Sequence, residues 1–228
     1  MSMNLLALDA STEALSITLQ YQGELWRFFE VCPQQHSQKI LPEIDRVLQA
    51  AHCSLKDLDG LVFGRGPGSF TGVRISVAIA QGLGFSSNLK LLGVSTLQAM
   101  AQEAFAKHGV TQVIAGIDAR MDEIYVCEYQ LDDQGVMQPI GEEQVLRPEA
   151  LTLSNTSATA VGTAWQAYPQ RAAELGLAIL DELTLPNAEF MLAMAELQFA
   201  QGLAVSASEA EPHYVRDTVT WKKLPGRE

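Results

Sequence analysis

Apolar and polar residues alternate from the start of the chain. Leu5, Leu6 and Leu8 lead to Asp9, then Leu15, Ile17 and Leu19 recur at every second position, and Leu25 to Val31 follows a turn at Gly23. Period two marks strands, and the polar intervals are short enough for tight turns, so three consecutive strands are predicted. After Pro33 the period lengthens. Ile40, Ile44, Leu48 and Ala51, flanked by Leu41 and Val47, return at helical spacing and predict a helix over 35–51. Pro42 is expected close to the start of that helix, where a missing N–H matters least. DLDGLVFG then predicts a strand, 69–87 a helix, LKLLGVS a strand and 96–106 another helix. The order βββαβαβα makes this an α/β protein with a mixed sheet.

The second half repeats part of that plan. QVIAGIDARMDEIYVCEYQLDDQG can be laid on the opening with Asp118 under Asp9, Asp122 under Glu13, Ile124 under Leu15 and Val126 under Ile17. Further on, Gly162 directly follows a short apolar run, as Gly64 does. The halves read as copies of one unit, although identity is low enough that two unrelated strand-turn-strand units would look the same. The expected division is a first lobe of residues 1–106 with 207–228 and a smaller second lobe of 107–206. In the latter, Pro186 and an Asn187 cap introduce a helix with Phe190, Met194, Leu197 and Leu203 at apolar spacing.

Two segments could carry chemistry. Gly64, Gly66, Gly68 and Gly72 follow a strand and open a helix, the position in which backbone amides hold phosphate. No GK[ST] follows, and the next acidic residue after the loop is Glu103, too distant for a ribose-binding acid. Ser69 has Pro67 and Thr71 at the GxSxG glycine positions, so capping by Ser69 or Thr71 is expected instead. The other segment is the LDAST turn, where Asp9, Ser11 and Thr12 could place a carboxylate on a metal-bound water and amides on phosphate, or form a plain Asx turn.

The helix after the glycine loop has an unusual face. Gly72, Ser76, Ala80 and Gly84 recur every fourth residue and would admit a close backbone, with Val73 and Val77 alongside. A helix apolar nearly all round needs covering on several sides. The sheet supplies one cover; the other is the 35–51 helix, through Ile40, Leu41 and Ile44, or a second protein. Both remain open from sequence.

Charge narrows the function classes. Fifteen basic and 27 acidic residues give a net charge of −12, which disfavours autonomous nucleic-acid binding. The basic exceptions are an acid-free segment between Asp59 and Glu103 and the tail with Arg216, Lys222, Lys223 and Arg227. Three separated cysteines without a CxxC pair suit a reducing compartment. No stretch reads as a leader or a membrane span, so a cytoplasmic protein is expected. His36, His52, His108 and His213 show none of the HxxH, HxxxH or HExxH spacings, so no metal is expected.

The segments LLALDAST, HSQKILPEI, GPGSFTGVRI and VTWKKLPGRE resemble the TsaB (YeaZ) family of bacterial tRNA threonylcarbamoyladenosine biosynthesis proteins, nearly end to end. That resemblance implies an actin-like ATPase-domain (ribonuclease H-like) fold of two duplicated lobes, each with a five-stranded-type mixed sheet and flanking helices. It implies a role in the t6A modification of adenosine 37 in tRNAs reading codons that begin with A. The family is regarded as a non-catalytic paralogue of TsaD, with which it pairs; TsaE joins the pair, and TsaC makes the threonylcarbamoyl-adenylate consumed. Where TsaD-like proteins carry a metal-binding histidine pair, this chain has His36 followed by Ile40. VGTAW likewise stands where actin-like sites place a glycine pair under adenosine. The expectation is therefore a scaffold without catalytic group or cofactor, with Asp9, Ser11, Thr12 and Asp118 as remnants of nucleotide loops. The small-residue helix face would bind TsaD, or a second copy of the chain when TsaD is absent, and tRNA would be met only within the complex. The competing class is an actin-like ATP-binding phosphotransferase or hydrolase using Asp9 and the Gly66–Gly72 loop.

Overall fold

The computed structural model describes residues 2–154 and 157–216. The basic tail residues Lys222, Lys223 and Arg227 lie outside the described residues.

Two five-stranded sheets form the frame. The first contains β1 (Leu5–Asp9), β2 (Ala14–Tyr21), β3 (Glu24–Val31), β4 (Gly60–Gly64) and β5 (Leu91–Val94), in the order β3-β2-β1-β4-β5. The second contains β6 (Gln112–Arg120), β7 (Glu123–Leu131), β8 (Met137–Leu146), β9 (Thr159–Val161) and β10 (Ala178–Ile179), in the order β8-β7-β6-β9-β10. In each, a three-strand antiparallel meander is extended by two parallel strands. The duplication read from the sequence is thus present strand for strand, and the expected two-lobed α/β architecture is the one observed.

Helices α1 (His36–Ala50) and α2 (Phe70–Ser87) cover one face of the first sheet. Leu6, Leu8, Leu15, Ile17 and Leu19 meet Ile40, Ile44 and Val47 of α1 and Val73, Val77 and Ala80 of α2 in one core. On the second sheet, α3 (Thr96–His108) buries Leu97, Met100, Ala101 and Ala104 on one face. Short helices α4 (Thr163–Ala167) and α5 (Pro169–Glu174) cover the other face around the buried Trp165. Pro42 lies well inside α1 rather than near its start, on the exposed side of the helix.

The chain returns to the first lobe earlier than the 206/207 boundary expected from sequence. The predicted single helix after Pro186 is a 3-10 turn, Ala188–Met191, followed by α6 (Leu192–Ala200). Asn187 does act as a cap, accepting from the Glu189 amide at 3.0 Å. These residues pack Ala188, Met191, Leu192, Met194 and Ala195 on Leu5, Ala7, Val62, Leu92 and Val94 of the first sheet. Ser16 of β2 fixes the crossing: its hydroxyl accepts from the Ala188 amide at 2.9 Å and lies 3.4 Å from Asn187 Oδ1.

The small-residue column of α2 turns inward. A Cβ at Gly72 would fall 2.1 Å from the Ala10 carbonyl oxygen, and one at Gly84 would fall 2.8 Å from Leu91 Cδ2. Ser76 accepts a hydrogen bond from the Ala10 amide at 2.8 Å, and Ala80 is fully buried. Val73, Val77, Ile40 and Ile44 are buried in the same core, so this face is occupied by the chain's own sheet and not free for a second backbone. The outward face of α2 presents Phe70, Arg74, Ala78, Gly82 and Phe85, and Leu41 of α1 is exposed as well.

Ser76→Ala strands the Ala10 amide in the core, so it should lower the urea-unfolding free energy by about 1–3 kcal/mol. Ala78→Ser, on the outward face, should stay within about 0.5 kcal/mol of the parent.

Candidate functional site

The glycine loop and the β1–β2 turn are pressed together. Gly64 lies level with Asp9 across the parallel β1–β4 pair, and a Cβ there would sit 1.8 Å from Asp9 Oδ2. A Cβ at Gly68 would sit 2.3 Å from the Ser11 carbonyl oxygen, which accepts from the Ser69 amide at 2.7 Å. The Gly72 amide donates to Ser69 Oγ at 3.4 Å, so Ser69 caps α2 as expected, and the Val73 amide bonds the Ser69 carbonyl at 2.9 Å. Three amides at the start of α2 are therefore committed within the chain. The glycines serve close packing of the loop on the turn.

Asp9 is fully buried behind this contact. Its Oδ1 accepts from the Ser11 amide at 2.8 Å and the Ser11 hydroxyl at 2.7 Å, and that hydroxyl lies 3.0 Å from Thr96 Oγ1. Oδ2 has no hydrogen-bond partner among the described residues. Burial raises the carboxyl pKa from 3.8 to about 6, against the opposing hydrogen bonds from Ser11 and Thr96.

Asp118 does not occupy the corresponding place. Gly162 lies level with Gly116 across the β6–β9 pair and would clash with the Gly116 carbonyl oxygen if it bore a Cβ. By strand register, matching Gly162 to Gly64 leaves Asp118 two residues beyond the Asp9 position, on a longer strand. Its amide donates to Thr163 Oγ1 at 3.1 Å, while its carboxylate pairs with Arg120 at 3.0 Å. Arg120 also reaches Glu13 at 3.2 Å, tying the turns of the two lobes together.

Between these turns lies a cleft of about 750 Å³, walled by Ser11, Thr12 and Ser69 on one side and Asp118, Arg120 and Tyr125 on the other. Its cations are engaged: Arg74 stacks on Phe70, 3.2 Å from the ring centroid, and faces Tyr214 at 4.9 Å. Arg216 pairs with Glu123. His36, buried, places Nε2 3.2 Å from the Ala14 carbonyl oxygen, a structural contact between α1 and β2. Among the described residues, no group of three or more His, Cys, Asp or Glu could hold a metal ion. Sequence reasoning missed Arg120 as the interlobe tie, and it missed a second polar cluster at Arg65, Ser95 and Glu143. Neither has a motif, because each is assembled from separate elements.

The sequence matches the family described as "TsaD: tRNA N6-adenosine threonylcarbamoyltransferase" over residues 30–218. It is 48% identical to the tRNA threonylcarbamoyladenosine biosynthesis protein TsaB of Escherichia coli K12, with 99% of this chain and 100% of that protein aligned. The chain belongs to the TsaB family. The Haemophilus influenzae TsaB is 46% identical, with 100% of this chain and 99% of that protein aligned. Among solved structures, YeaZ from Pseudomonas aeruginosa superposes with a TM-score of 0.86 at 40% identity, covering 94% of this chain and all of that one. A second Pseudomonas aeruginosa structure, described as an uncharacterized protein with similarity to peptidase YeaZ, gives 0.87 at 41% identity, covering 95% of this chain and all of that one. The TsaB-type fold therefore accounts for both lobes and for the cleft between them.

Because the folded-state pKa of Asp9 lies above its unfolded value, the native state holds the extra proton between pH 3.8 and about 6. The stability associated with this proton is present below pH 3.8 and lost as pH rises to about 6, up to about 3 kcal/mol. Asp9→Asn should flatten that segment in denaturation measured across pH and should make the protein more stable than the parent at pH 7.

Proposed function

We propose that this chain acts in t6A formation on tRNA as a non-catalytic subunit that binds and activates a TsaD-type catalytic subunit in the cytoplasm, with a TsaE-type ATPase joining the pair. Relatives named for threonylcarbamoyladenosine biosynthesis, aligned over essentially their whole length, support the pathway. Charge supports an indirect relation to tRNA, since a chain of net charge −12 gains nothing from phosphate neutralisation by itself. Among the described residues no helix is long and apolar enough to cross a membrane.

The observation that carries the docking role is the outward face of α2. Phe85 is 86% exposed and Phe70 61%, with Ala78 and Gly82 between them along the helix, and Leu41 of α1 is 49% exposed. A Cβ at Gly82 would meet nothing within 4 Å, so the small residues of this face leave room for another helix. The buried column Gly72, Ser76, Ala80 and Gly84 supports this surface from behind by holding α2 against the sheet. Aromatic anchors around a small-residue strip suit an apolar helix–helix interface, and the same strip could pair two copies of the chain when the partner is absent. The ATP-using alternative finds less support: the Ser69 amide is bonded to Ser11, the Gly72 and Val73 amides to Ser69, and Asp9 is sealed behind Gly64.

Ala78→Arg and Gly82→Arg should each weaken binding of the purified TsaD-type subunit about tenfold or more. Tm should remain near that of the parent, because both sites are exposed. Undiminished binding in both variants would remove α2 as the docking face, and t6A formation from purified components lacking this chain would remove the activating role.

A further inference from the structure

A second cavity, of about 430 Å³, lies on the other side of the 213–215 segment from the interlobe cleft. Its volume is within the range of about 300–1,000 Å³ usual for small-molecule sites. Arg65 and Ser95, which line it, directly follow β4 and β5. It therefore opens at the carboxyl ends of parallel strands, where α/β sheets place their ligands. Glu143 of β8 and Tyr129 of β7 bring the second sheet to the same space.

Two opposite charges face this cavity, and each carries a buried polar atom without a hydrogen bond. The Glu143 side chain is only 8% exposed. Its Oε1 accepts from the Ser95 hydroxyl and, at 3.4 Å, from the Tyr129 hydroxyl, while its buried Oε2 makes no hydrogen bond. His213 Nε2 stands 3.4 Å from Oε2, on a side chain that is 44% exposed. Arg65 carries a buried Nε without a hydrogen-bond partner. Its carbonyl oxygen accepts from the His213 amide at 2.8 Å, which fixes the backbone from which the guanidinium projects. Among the described residues Arg65 forms no ion pair, with Glu143 or with any other carboxylate. A buried carboxylate and a guanidinium left apart in one cavity carry a desolvation penalty that a ligand bearing both complementary charges would offset.

We propose that this cavity binds a small zwitterion of the α-amino acid class, with the ligand's ammonium on Glu143 Oε2 and its carboxylate on Arg65. The Ser95 and Tyr129 hydroxyls hold the Glu143 carboxylate in place, and Gln98 and Pro139 lie against the ligand's remaining atoms. The binding is non-covalent, and it is independent of the α2 docking face.

The test is calorimetry on the full chain with each proteinogenic L-amino acid offered singly. Saturable binding is expected for at least one. The N-acetyl derivative of that amino acid, which lacks the ammonium, and its primary amide, which lacks the carboxylate, should each bind about tenfold or more weakly. Glu143→Gln should erase the preference over the N-acetyl derivative, and Arg65→Gln the preference over the amide. A purely structural role for either residue would not produce that paired loss. If a variant does not fold, the derivative series on the parent chain decides. Absence of binding across the whole panel, binding indifferent to both ligand charges, or selectivity unchanged in both variants would overturn the proposal.

Discussion

The closeness of α2 and its loop to the β1–β2 turn is the constraint on which the rest of the molecule is built. Ala10 and Ser11 present carbonyl oxygens where Gly72 and Gly68 have no side chain, and Gly64 leaves the space that the Asp9 carboxylate fills. Helix and turn are then joined by polar contacts, Ala10 amide to Ser76 and Ser69 amide to Ser11. That approach seats Val73, Val77 and Ala80 in the core and turns the opposite side of α2 outward. It also commits the Ser69 and Gly72 amides to bonds within the chain. Glycine richness at a strand–helix junction has two physical uses, and here it serves close packing.

The two lobes share a topology but not a site. Their sheets follow the same strand order, yet only the first encloses a carboxylate at the strand end. In the second lobe the equivalent level holds Gly116, and the aspartate lies beyond it, salt-bridged by Arg120 to its own lobe and to Glu13 of the other. A duplicated frame can therefore keep its cleft while its two linings diverge.

Much of this was legible in the chain. Alternation through Leu15, Ile17 and Leu19 gave β2, because these residues line one core face while Ser16 and Thr18 point to the other, and the period of Ile40, Ile44 and Leu48 gave α1, because one face of that helix is buried and the other wet. The orientation of α2 was not legible. Apolar residues surround it, so no polar stripe identifies its outer side, and small residues occur on the inner face at 72, 76, 80 and 84 and on the outer face at 78 and 82. The displacement of Asp118 was hidden for a different reason. A shift of two residues leaves every strand side chain on its original face, so the hydrophobic pattern is the same before and after it. The polar pair Arg65 and Glu143 lies 78 positions apart in sequence and becomes visible only when two sheets meet.

The crossing at Ser16 and Asn187 has a consequence for how the protein is made. Leu5, Ala7, Val62 and Leu92 are among the earlier residues to leave the ribosome, but the helix that covers them ends at Ala200. The first lobe must therefore wait, with one face of its sheet bare, while the whole of the second lobe is synthesised. An apolar sheet face exposed over that interval is the kind of surface that invites aggregation or a chaperone. The two lobes are duplicates in architecture, yet the first one formed is completed only by the last helix of the described chain.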